Sequence, residues 1–165
     1  MQANLRSRFP YIILAGLILV LDRISKSSIT TRFDLGQPAP VIDGLFNITY
    51  VQNTGVAFGI FNAFSSPVKV FFLCLVAAIA AIVVIIYSLR NDPRNKLLQG
   101  ALALVLAGAL GNLYDRISLG YVIDFLEFHA RGYYWPSFNL ADTSITIGVM
   151  LLAWEIFHNE APGRA

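Results

Sequence analysis

Residues 67–89 read PVKVFFLCLVAAIAAIVVIIYSL, an apolar run in which Lys69 is the only charge. About 20 helical residues cross the ~30 Å hydrocarbon layer of a bilayer. This run is long enough, and Lys69 near its start can reach back to the interface. Its apolar residues are continuous and do not alternate, which fits a helix and not a barrel strand. Three more stretches read the same way: residues 11–29, opened by Pro10 where helices tolerate proline, residues 97–114, and residues 140–157. The expected fold is therefore an all-α polytopic membrane protein. It has a single domain over residues 1–165, four transmembrane helices, and outer loops at 30–66 and 115–139.

Composition points the same way. Hydrophobic residues make up 56% of the chain and charged residues 13%, about half the usual charged quarter. A net charge of +2 without basic runs interleaved by aromatics excludes nucleic acid as a partner. Cys74 is the sole cysteine, so no internal disulfide forms, and a buried thiol is expected. Arg6 and Arg8 before an apolar run resemble a signal peptide. No small-residue cleavage site follows, and the run is read as a retained first span.

Positive charges orient the chain. Arg6, Arg8, Arg90, Arg94, Lys96 and Arg164 would share one side, against Arg32, Arg116 and Arg131 on the other. The positive-inside bias puts both termini in the cytoplasm and both long loops outside. In the first of these loops, residues 40–42 and 45–51 are rich in β-branched and aromatic side chains. Asp43-Gly44 between them is a hairpin turn signal. A small β-sheet on the outer surface follows. Residues 125–138 hold Phe125, Phe128, Tyr133, Tyr134, Trp135 and Phe138, which suit an interfacial belt or a surface that holds a lipid or an apolar peptide.

Polar residues near the spans gather at the outward ends. An Asp at a helix centre costs ~3 kcal/mol to insert, so Asp124 in GYVIDF and Asp142 in NLADTSITIG are expected to be paired or functional. Asp124 lies among apolar neighbours, which raises a carboxyl pKa. Two facing acids cannot both ionise cheaply, and one then holds a proton near neutrality. That arrangement suits peptide hydrolysis: one carboxylate takes a proton from water and the other donates to the carbonyl oxygen. Asp22 and Lys26, four residues apart, form a neutralising pair on one helix face. Ala103, Ala107 and Gly111 make a small-residue ridge for close helix packing, with Gly108 and Asn112 on the adjacent stripe. Asn139 can cap the last helix. Asp115, beside Arg116, reads as part of a charge network at the rim and stands behind Asp124 as a catalyst. His129 and His158 lie far apart without HExxH, and no GxSxG occurs, so no metal, no cofactor and no serine nucleophile are expected.

Five blocks in order carry a family resemblance: LDRISK with Asp22 and Lys26, NTGVAF at residues 53–58, GNLYDR at 111–116, GYVIDF at 120–125 and FNLAD at 138–142. Together they resemble bacterial lipoprotein signal peptidase, signal peptidase II. The resemblance implies an intramembrane aspartyl endopeptidase of the bacterial inner membrane. Such an enzyme removes the signal peptide from diacylglyceryl-modified prolipoproteins just before the lipidated cysteine. It implies Asp124 and Asp142 as the catalytic pair, Asn53, Asn112, Arg116 and Asn139 as orienting neighbours, and Asp22 with Lys26 as scaffold. It further implies a β-cradle for the outer sheet, membrane lipid as a partner, sensitivity to globomycin-type inhibitors, and action as a monomer. DRISK replaces a common glutamine after the aspartate, and NTGVAFG has glycine where serine is common; neither touches the acids. Two other classes stay open: a small proton-coupled transporter, against which the absent internal repeat counts, and a non-catalytic adaptor.

Overall fold

The computed structural model of the protein describes residues 2–55 and 67–159. The end of the NTGVAF block (Val56, Ala57 and Phe58) and Arg164 lie outside them. The elements run α1 (Gln2–Arg32), β1 (Ala39–Ile42), β2 (Phe46–Asn53), α2 (Pro67–Arg90), α3 (Lys96–Leu119), β3 (Val122–Ala130), β4 (Tyr133–Tyr134) and α4 (Leu140–Asn159). Among the described residues, three helices carry segments long and apolar enough to cross a membrane: Val68–Arg90, Lys96–Leu119 and Leu140–His158. α1 is longer, but Asp22, Arg23 and Lys26 interrupt its apolar run. Short of Arg90 at its end, the exposed side chains of α2 are themselves apolar, among them Phe71, Phe72, Val76, Ile79, Ile82 and Val83. A helix hydrophobic all round is made for a nonpolar surrounding, and the chain is a multi-pass membrane protein.

α3 packs along all three other helices. Small residues let it do so. Ala103 and Ala107 of the predicted ridge meet Ala15, Tyr11, Leu14 and Ile18 of α1, and Gly111 faces Asp22 there. The neighbouring stripe faces α4: a Cβ added at Gly108 would fall 2.2 Å from the Ala141 carbonyl oxygen. Gly148 returns the favour lower down, its missing Cβ leaving room for Val105 and the Ala101 carbonyl. One helix is thus held at backbone contact from two sides.

Two regions differ from the sequence expectation. The outer loop expected at 115–139 starts later, because α3 continues through Asp115 and Arg116 to Leu119 and ends at Gly120 in the left-handed region, φ 81°. Both charged residues have partners that make a helical position tolerable, and Asp115 is fully buried, not at a rim. The sheet is also larger than one hairpin. β1 and β2 pair across the Asp43-Gly44 turn as expected, but β2 also pairs antiparallel with β3, setting Asn53 opposite Val122 and Val51 opposite Asp124. The ring-rich stretch contributes to that sheet. Phe128 lies 4.9 Å from Phe46 and 5.9 Å from Phe138, ring centre to ring centre, while Tyr133, Tyr134 and Trp135 stay exposed.

The opposite end of the bundle is tied by Arg8. Its guanidinium is buried and donates to the Ser88, Leu89 and Asn91 carbonyls at the end of α2, at 2.6, 3.3 and 2.8 Å. It also donates to Gln99 Oε1 of α3 at 3.1 Å. Terminal helix carbonyls lack intrahelical partners, and Arg8 supplies donors from another helix. Arg8→Met should therefore lower the thermal unfolding midpoint in detergent by several degrees, from ~2 kcal/mol of lost charge-assisted bonding. The surroundings of Asp124 and Asp142 should not change, since Arg8 binds at the far end of α3 from them.

Candidate active site

β3 begins immediately after the Gly120 turn, and its register against β2 brings Asp124 beside Asn53. Asn53 Nδ2 donates to Asp124 Oδ2 at 2.9 Å, and its own Oδ1 accepts the Gly55 N–H at 2.8 Å. Asp142 arrives from another direction, in the first turn of α4. Asn139 caps that helix: its Oδ1 accepts the Asp142 N–H at 2.9 Å, while its own backbone N–H donates to Asp142 Oδ2 at 3.3 Å. This is a reciprocal capping box. Asn139 Nδ2 donates to Asp124 Oδ1 at 2.7 Å. One residue therefore bonds to both carboxylates and sets them side by side.

Asn112 completes the pair from α3. Its Nδ2 donates to Asp142 Oδ1 at 2.7 Å, and its Oδ1 receives Asn139 Nδ2 at 3.3 Å and Lys26 Nζ at 3.4 Å. With two donors on the oxygen, the amide can turn only one way, nitrogen toward Asp142. Arg116 is half-buried, donates to the Gly55 carbonyl at 3.3 Å, and stands where its charge reaches both Asp142 and Asp124. Lys26 and Asp22 pair at 2.8 Å and are fully buried. All eight residues singled out in the sequence thus fall in one cluster at one end of the bundle. Asp115 joins them through Lys26 at 2.9 Å and through Arg23.

Burial pushes the Asp124 carboxyl from its ordinary range up to about 7, and the neighbouring Asp142 charge adds to it. Hydrogen bonds from Asn53 and Asn139 and the charge of Lys26 oppose the rise. A carboxyl of that kind carries a proton near neutrality and can act as an acid. Both aspartates open into a cavity of about 790 Å³ between α2, α3 and α4, roofed by Trp135, Pro136, Ser137 and Phe138. Its walls are Leu73, Val76, Ala77 and Ala80 from α2, Val105 and Ala109 from α3, and Ile145, Thr146, Ile147 and Met150 from α4. The α2 wall leaves one signal in the sequence, Ala77 and Ala80 among larger residues.

The arrangement combines a carboxyl able to hold a proton, a second carboxylate, hydrogen-bond donors fixing both, and an apolar trough with room for an extended chain. That is equipment for activating water against an amide. Comparison with known proteins agrees. The family model described as "Signal peptidase (SPase) II" matches residues 14–158. The chain is 43% identical over 150 residues to a lipoprotein signal peptidase from Syntrophus aciditrophicus, covering 91% of this chain and 93% of that one. It is 48% identical over 142 residues to one from Geobacter sulfurreducens, covering 86% and 88%. A solved structure described as a bacterial membrane enzyme superposes with a TM-score of 0.79 at 31% identity, covering 94% of each chain. On this agreement of sequence and fold, the chain belongs to the signal peptidase II family of peptidases.

Proposed function

We propose that this chain is an intramembrane aspartyl endopeptidase that removes the signal peptide from diacylglyceryl-modified prolipoproteins, with Asp124 and Asp142 as its catalytic pair. The observation that carries the reading is Asn139, which bonds to both carboxylates at the mouth of an apolar cavity. Asp142 sits at the positive end of α4 with donors on both oxygens; it takes a proton from water as that water attacks the scissile carbonyl carbon. Asp124 gives its proton to the carbonyl oxygen, forming a gem-diol. Asp142 then passes its proton to the amide nitrogen, the C–N bond breaks as a gem-diol hydroxyl returns a proton to Asp124, and the diacylglyceryl-cysteine leaves with a free amine. Asn53, Asn112 and Asn139 hold the acids, and Arg116 steadies the developing charge.

α1 is the fourth span, and both termini and the loop after α2 face the cytoplasm of the bacterial inner membrane, with the sheet and the acids on the outer side. Supporting this, Arg8, the end of α2 and Glu155 near the end of α4 share one end of the bundle: Asn95 of the α2–α3 connection donates to Glu155 at 2.5 Å. The enzyme works as a monomer in contact with membrane lipid and binds globomycin-type inhibitors in the same cavity. The test is incubation of the purified chain with a diacylated prolipoprotein, read as a gel shift. Cleavage before the lipidated cysteine, blocked by globomycin, is expected. Processing of the unlipidated precursor at equal rate, or none of either, overturns the reading.

The acid limb adds a pH prediction. Asp124 must be protonated, so kcat/KM should fall as pH rises above about 7. The Asn53 hydrogen bond favours the ionised form and holds that value down. Asn53→Ala should move the limb to higher pH by about 0.7 unit, the equivalent of ~1 kcal/mol. A pH–rate profile of the two proteins checks the direction.

A further inference from the structure

The two catalytic carboxylates are held by side-chain amides, but the backbones that carry them have their own tether. Ile123, immediately before Asp124, donates its N–H to Asp115 Oδ2 at 3.3 Å. Ala141, immediately before Asp142, donates its N–H to Asp22 Oδ1 at 3.1 Å. Lys26 Nζ lies between the two acceptors, 2.9 Å from Asp115 Oδ2 and 2.8 Å from Asp22 Oδ2. All three side chains are essentially excluded from solvent. The second oxygen of Asp115 meets Arg23, whose guanidinium also lies 4.5 Å from the Tyr114 ring centre. Asp22, Arg23, Lys26 and Asp115 together sum to zero charge, which makes their burial tolerable.

A charge cluster that served only to neutralise itself would need no contact with the chain around it. Here each acid instead accepts a backbone N–H one residue before a catalytic acid, from two different elements, and a single ammonium joins the acceptors. We propose that Asp115 is a positioning residue for the peptidase reaction: through the Ile123 N–H and the shared Lys26 ammonium it fixes where β3 places Asp124 relative to Asp142. It touches neither substrate nor water. The sequence reading of Asp115 as a secondary catalyst gives way to this role. The inference rests on Asp124 and Asp142 being the catalytic pair, and its test separates the two.

Asp115→Leu removes the acceptor and keeps the branched shape with bulkier tips; Lys26 keeps Asp22, and Arg23, already 34% exposed, turns to solvent. Asp115→Asn keeps an oxygen for the Ile123 N–H. The expected result is a fall of ~100-fold in kcat for Leu, the scale of a 1 Å misplacement, with KM within about threefold. Asn at the same position should recover most of the loss. Where Leu fails to fold, an ester in place of the Ile123 amide, introduced as the α-hydroxy analogue of isoleucine, deletes the same bond without altering any charge. It should lower kcat at least ~10-fold at unchanged KM. Wild-type kcat in the ester variant, or equal losses in Leu and Asn variants, overturns the inference while leaving the catalytic pair intact. Retained cleavage in Asp124→Asn and Asp142→Asn overturns the catalytic pair itself.

Discussion

Asp142→Asn and Asp124→Asn should each reduce cleavage of a lipidated precursor by at least ~10³-fold while leaving the protein folded, and the double variant should be little worse than either single one. General acid or base transfer is worth ~10²–10⁴ in rate, and members of one catalytic unit are strongly non-additive. Shape survives because asparagine is isosteric with aspartate. The electrostatic change costs little stability: an amide NH₂ at 142 faces either the Asn112 amide or the Asn139 N–H, losing one hydrogen bond of ~1 kcal/mol. At 124 the clash is with Asn53 or Asn139. Single-turnover cleavage on gels, with thermal unfolding in detergent as the companion measurement, reads both halves. A variant that keeps cleaving at a tenth of the wild-type rate would exclude that residue from the chemistry.

The second large effect falls on a residue with no chemistry of its own. Gly108→Ala would put a methyl carbon 2.2 Å from the Ala141 carbonyl oxygen and 2.6 Å from both Ile145 Cγ1 and Ser144 Oγ. No carbon approaches a backbone oxygen so closely, so the first turn of α4 must move away from α3. That turn carries Asp142. Overpacking of this kind costs ~1–3 kcal/mol, and displacement of a reacting group by about 1 Å costs ~10² in rate. We expect Gly108→Ala to lose both, with kcat falling more than KM rises. Gly100→Ala is the matched control on the same helix. Nothing lies within 4 Å of its Cβ, so it should gain ~0.5–1 kcal/mol from reduced backbone freedom and keep full activity.

What the sequence made legible follows from the range of the interactions involved. Continuous apolar runs announce helices because the signal is local, and the runs at 67–89 and 140–157 agree with α2 and α4 nearly to the residue. The Asp43-Gly44 hairpin is equally local. β3 is harder to read, since Val122, Ile123 and Phe125 flank Asp124 without alternation and the rings beyond them fit a membrane interface as well as a strand; only the pairing with β2, far away in the chain, decides. The helical continuation through Asp115 was hidden for the same reason. Charged residues at the end of an apolar run look like a rim until the buried partners Lys26 and Arg23, on another helix, are known. Arg8 reads as a topogenic charge, and its bonds to residues 80 and 83 positions away leave no trace in sequence. For the site, Asp124 and Asp142 stood out by the cost of their placement, whereas Asn53 came from family resemblance alone, an unremarkable amide at the end of a strand.

The trough below the acids is walled by α2 on one side and α4 on the other, yet several of its wall residues, Val76, Ile147 and Met150, remain 49%, 45% and 65% exposed. It is open along its flank. We expect a lipid-anchored substrate to reach such an opening by sliding within the leaflet. Turnover in vesicles should accordingly scale with the mole fraction of precursor per lipid, and diluting the bilayer with inert lipid should slow the reaction even when the molar amounts in the tube are held constant.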